Sequence, residues 1–231
     1  MNHIRPGILK LAVTASMLLW ASIAVTSATA APITFHFGGS VLFNNGSPIP
    51  PQSLTGSYTY ESETPDSNGA STIGRYNHDI TNILSPTGIT GLTVNIGSYH
   101  ATLGTSGSNF IQIQQATILD NVDRYVMRAP LTGPLVGEFS PLNFRIEFIH
   151  APGTFGSADL PATLGTLFSS SISSNFRVVF ENDDSATTTL SGSLNSVSMP
   201  LPPAVILFGA GLVALVGLGA GSWRLKGNNV A

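Results

Sequence analysis

Cysteine is absent from this 231-residue chain, and lysine occurs only twice, once near each end. Without cysteine there are no disulfides, thiolate metal sites, iron–sulfur clusters or cysteine nucleophiles. Charge of either sign is sparse, with Asp, Glu, Lys and Arg together at 9%. Amphipathic helices with charged outer faces therefore have little to draw on. The charge is also unevenly spread. Residues 31–199 carry five arginines against twelve acids, a formal −7, while Arg5, Lys10, Arg224 and Lys226 lie in the terminal segments. A domain of that sign repels phosphate backbones, so nucleic acid is not expected as a partner.

What is present is 42% hydrophobic residue mixed with serine, threonine, asparagine and glycine. That mixture suits strands and turns. A disordered chain would carry more net charge and fewer β-branched and aromatic residues.

The two ends set the expected topology. Residues 1–30 have the three parts of a secretory signal: Arg5 and Lys10, then the apolar run Leu11–Val25, then the small residues Ala28, Thr29 and Ala30. Cleavage is expected after Ala30, with Ala31 the near alternative, by signal peptidase. At the other end, Ala204–Gly221 is free of charge and of strongly polar side chains. At about 1.5 Å per residue it reaches roughly 27 Å, near the hydrocarbon thickness of a bilayer. Pro202 and Pro203 suit a helix start, where the missing N–H is not needed. Trp223 suits the interface, and Arg224 with Lys226 should remain cytoplasmic. A transmembrane helix is expected over 203–221.

The run Pro200-Leu201-Pro202-Pro203-Ala204, the following Leu207-Phe208-Gly209-Ala210-Gly211-Leu212 and the basic end resemble the PEP-CTERM sorting signal of bacteria over residues 199–226. Leu201 stands where the name-giving motif has glutamate, and only Arg224 and Lys226 form the basic cluster. The resemblance implies recognition by exosortase, a membrane transpeptidase that cuts near the proline motif. Thr34–Val41, Leu54–Glu61 with Thr64-Pro65-Asp66, and Leu190–Leu194 are also similar, more loosely, to segments of secreted proteins bearing such tails. That likeness implies no activity.

Between the ends, short alternating runs predict strands at Ile33–Phe37, Leu54–Tyr60, Leu92–Ile96, Phe110–Gln114, Tyr125–Arg128, Asn143–Phe148, Asn175–Glu181 and Thr188–Val197. Asn44-Asn45-Gly46, Ser85-Pro86-Thr87-Gly88 and Ala151-Pro152-Gly153 punctuate them. Eight to ten such strands imply an all-β antiparallel sandwich or barrel over 31–198, with a jelly-roll-like β-sandwich the expected form. Only Ser157–Phe168 hints at a helical turn.

Chemistry is thinly signalled. His36, His78, His100 and His150 have no ligand spacing, and no Gly-x-Ser-x-Gly elbow accompanies the His78-Asp79 pair. Acidic clusters at Glu61/Glu63/Asp66, Asp120/Asp123 and Glu181/Asp183/Asp184 match no calcium template. No catalytic residue, cofactor or metal is therefore expected. The leading expectation is a non-enzymatic, exported surface or matrix protein. It would be held in the inner membrane by its tail, or processed and passed outward toward an exopolysaccharide. A carbohydrate-binding module using Tyr58, Tyr60, Tyr76, Tyr99 or Tyr125 is the alternative class, and a secreted hydrolase the third.

Overall fold

The computed structural model describes residues 32–77, 88–161 and 163–199. The expected signal helix and the expected membrane helix at 203–221 lie outside them. Among the described residues no helix is long and apolar enough to cross a membrane.

The described chain is almost entirely strand: β1 (Pro32–Asn45), β2 (Ser53–Glu61), β3 (Ile73–Asn77), β4 (Ile89–Ile96), β5 (Tyr99–Leu103), β6 (Phe110–Gln114), β7 (Asp123–Thr132), β8 (Ser140–His150), β9 (Ser173–Glu181) and β10 (Thr187–Ser198). One short helix, α1 (Gly165–Ser170), precedes β9. It begins later than the turn expected at Ser157–Phe168, beyond Pro161 and with Gly165 as its first residue.

Every pairing is antiparallel, as the alternation predicts. The expected two stacked sheets do not form, however. One sheet runs β7–β5–β4–β2–β1–β10–β9–β8 and closes through β8 back onto β7. The closing ladder is long, from Asp123 opposite His150 to Pro130 opposite Asn143. The other edge of β7 is shared. Its first half pairs with β6, while Leu131 and Thr132 at its end pair with β5. The β6–β3 pair is therefore a two-strand flap leaving an eight-strand barrel.

Closure follows from what points inward. Eight strands enclose a space that side chains can just fill. Phe35, Tyr58, Tyr60, Tyr125, Phe144, Phe148, Phe176 and Phe180 fill it, each almost wholly buried. Rings from strands that are not neighbours meet across the middle, Phe37 on Phe144 with centroids 5.2 Å apart. Inward glycines make room for them. A Cβ on Gly56 would lie 2.5 Å from the Phe37 ring, and one on Gly192 would meet the Ser40 carbonyl oxygen at 1.9 Å. Large rings facing backbone is the alternation of size that a small barrel needs.

The first and last strands are neighbours, with His36 opposite Ser198. The chain thus enters the barrel at Pro32 and leaves it at Met199 on the same rim. His150, Ser173 and the start of β7 share that end by the β7–β8 and β8–β9 registers. Asn45, Glu181, Ser140 and Thr187 mark the far rim.

Candidate functional site

The expected cleavage residues Ala28, Ala30 and Ala31 lie outside the described residues. So do the sorting residues Pro200, Leu201, Pro202, Pro203, Ala204, Arg224 and Lys226, and the His78-Asp79 pair. The remaining candidates have definite places.

Four of the five tyrosines are interior and unavailable to a sugar. Tyr58 and Tyr125 hydrogen-bond through their hydroxyls at 2.9 Å in the barrel centre. Tyr60 donates to the Pro161 carbonyl and Tyr76 to that of Ala158. Only Tyr99 is partly exposed, edge-on to Phe180. Their alternation with polar residues is the pattern of a buried face.

The acidic loops are structural. Asp123 is fully buried, and its two oxygens accept the backbone N–H groups of Ala116 and Phe155 at 2.6 and 2.7 Å. It braces two loops at once. Asp66 accepts from the N–H groups of Asn68 and Arg75. In the 181–184 loop, Asn182 closes the turn by accepting from Ala186 N–H. Among the described residues no group of three His, Asp or Glu side chains could hold a metal ion.

A serine and a histidine do meet, at a pair the sequence did not single out. His150 is buried opposite Asp123, and Ser170 Oγ lies 3.4 Å from its Nδ1. The serine oxygen sits closer to the Thr166 carbonyl, at 2.9 Å. Asp123 spends both oxygens on backbone, and His150 Nε2 has no partner among the described residues. Burial lowers the imidazole pKa from its ordinary 6.5. A relay needs the carboxylate on the far nitrogen of the base, and this arrangement lacks that link. It is a neutral histidine packed against Phe155.

The outer wall is more informative. All five arginines of residues 31–199 stand on β3, β7, β8 and β9, within the contiguous run β3–β6–β7–β8–β9, and no lysine or arginine stands on β10, β1, β2, β4 or β5. The registers place Arg128 opposite Arg145, and Arg145 opposite Arg177. With neighbouring strands about 4.8 Å apart, three guanidinium-bearing residues fall within roughly 10 Å in one lateral row. Like charges directly opposite destabilise a sheet, so the row opposes folding unless anions face it.

The protein supplies few such anions. Glu147 Oε1 accepts from Arg145 Nη2 at 2.8 Å and from Arg124 Nη1 at 3.1 Å. Arg124 also pairs with Asp120, whose carboxyl it holds below the ordinary range. Arg75 stacks over Phe110 at 4.4 Å. Arg128 and Arg177 have no ion pair among the described residues. The buried Nε–H groups of Arg128 and Arg145 lack acceptors there.

Beside this row is a cleft of about 310 Å³ whose walls include Arg145, Arg177, Asn175, Ser191 and Phe43. Phe43 is 71% exposed and Leu42 58%. Strict alternation from Phe35 and Phe37 would turn Phe43 into the core. An extra residue in β1 between the Val41–Gly192 and Phe43–Ser191 pairs reverses the parity and presents the ring outside. Bulges commonly re-aim a side chain in this way beside functional sites. Sequence showed the charges facing outward on β8 and β9. Their alignment, and the Phe43 reversal, depend on register.

No protein-family model matches the chain, and no curated protein or solved structure matches it.

Proposed function

We propose that this is an exported cell-envelope protein whose barrel works outside the cytoplasm by binding and assembly rather than by catalysis. On this reading signal peptidase removes the leader near Ala30. The tail holds the barrel at the inner membrane until an exosortase-like transpeptidase processes it near Pro200–Ala204, or anchors it permanently. The observation that carries the reading is the pattern of the two ends, each a long apolar run with basic residues to one side. The barrel adds support, because both ends join it at one rim. Ile118 and Leu119, fully exposed, and Ile172, 69% exposed, belong to that same end. Apolar side chains there suit a rim held against a lipid surface.

Cell fractionation with mass spectrometry of both termini tests the reading. The expected product begins at Ala31 or Pro32 and is found in the envelope or the medium. An intact product starting at Met1 and soluble in the cytoplasm would end it.

A further inference from the structure

We propose that the outer cleft binds an acidic saccharide, a carboxylated sugar unit of a polyanionic polysaccharide. Its carboxylate would meet Arg177 and Arg145, and the apolar face of its ring would lie on Phe43. This deepens the envelope reading by naming what the barrel holds, and rests on it for biological sense only. The binding itself needs nothing but the cleft.

Three features of the cleft converge on that chemistry. First, the barrel concentrates its cations on one wall although the domain is formally −7, and leaves Arg177 and Arg128 without carboxylates among the described residues. Guanidinium forks match planar carboxylates in two-bond geometry. The one acid lining the cleft, Glu147, is already shared by Arg124 and Arg145, so its repulsion of an incoming anion is damped. Second, the bulge in β1 presents Phe43 to solvent at the opposite side of the cleft. An exposed aromatic face offers a flat apolar surface to the C–H side of a sugar ring. Third, Ser191 stands opposite both Arg177 and Phe43, between these poles, with Asn175 beside Arg177 on the outer face of β9. Their amide and hydroxyl groups can both donate to and accept from sugar hydroxyls. A volume of about 310 Å³ is at the small end of ligand sites and suits one or two rings.

A nucleic acid fits less well. Its phosphates recur every few ångströms along a strand, whereas the cationic row is only three residues wide and the rest of the domain is acidic. The cleft lies midway up the outer wall, since Arg145 and Arg177 each stand equally far from the two ends of β8 and β9.

The test is calorimetric titration of the full chain in detergent with hexameric oligogalacturonate. Its methyl-esterified form serves as the neutral control, and a single-stranded hexanucleotide as the competing polyanion. The acidic hexamer is expected to bind and the ester to lose at least tenfold in affinity. Arg177→Gln should weaken binding about tenfold, as loss of a charge-assisted pair does. Arg177→Lys, with charge but no fork, should fall between. Phe43→Ser, at an exposed bulge outside the core, should cost about fivefold and serves should the arginine variant misfold. Equal binding of the ester, equal binding of the hexanucleotide, or unchanged affinity in both variants would each overturn the proposal. Binding by a protein found in the cytoplasm would sustain it and remove the envelope reading instead.

Discussion

Tyr58 and Tyr125 place two hydroxyls against each other where no water reaches, and each is the other's side-chain partner. Removing one leaves its neighbour with a buried polar group unpaired, a cost of about 1–3 kcal/mol. Removing both leaves nothing to satisfy. Tyr58→Phe and Tyr125→Phe are thus each expected to lower the urea midpoint, and the double variant to recover most of the loss. Equal, additive losses would mean that the pair does not exist. Burial also raises the pKa of both phenols well above 10.0, and that of Tyr99 to about 12. A raised folded pKa means stability that is complete below 10.0 and falls as pH rises above it. Absorbance titration should show Tyr58 and Tyr125 ionising only with unfolding. His150 has the opposite sign. Burial lowers its pKa, so its contribution is complete above 6.5 and lost as pH falls below that value. In His150→Phe, the decline in urea midpoint between pH 7.5 and pH 5 should be shallower than in the parent.

Strands in this barrel depend on glycine as much as on their aromatic residues. Gly192 faces inward on β10, and an added Cβ would lie 1.9 Å from the Ser40 carbonyl oxygen and 2.9 Å from the Phe176 ring. Backbone cannot yield there without opening the β1–β10 ladder. Gly192→Ala is expected to cost roughly 3 kcal/mol or to prevent folding. Gly69→Ala, with open space around it, should be near neutral in the same melt. Much at this scale was legible in sequence. Phe110–Gln114 forms the strand its alternation predicts, and Asn143–Phe148 and Asn175–Glu181 lie within β8 and β9 with the expected faces. The brief β3 and β5 were not, because Gly74 and Ala101 hold buried positions in them and blur the alternation. Closure was not legible either. A period of two says which face is buried, and says nothing of whether that face meets a second sheet or curls onto itself. The same limit hid the arginine row, since Arg128, Arg145 and Arg177 are far apart in sequence and adjacent only through register. Phe43 was hidden by the bulge, which no parity argument detects.

Taken whole, the barrel of residues 32–199 is a closed wall whose first and last strands stand side by side. Ser198 faces His36, and Pro32 lies four residues further along β1, roughly 13 Å at the usual strand rise. A flexible linker of about six residues has a mean span of about that length. Residues 32–199 joined in this way, and reopened between Asp183 and Asp184, would keep every ladder, because the cut falls in the turn between β9 and β10. Such a permutant is expected to fold with a Tm within a few degrees of the unpermuted 32–199 barrel. A second permutant, reopened between Ser191 and Gly192, would sever β10 beside both of its neighbours and should not fold. If the first failed while the unpermuted barrel folded, the closed arrangement would be wrong. The register that gathers Arg128, Arg145 and Arg177 into one row across β7, β8 and β9 would be wrong with it.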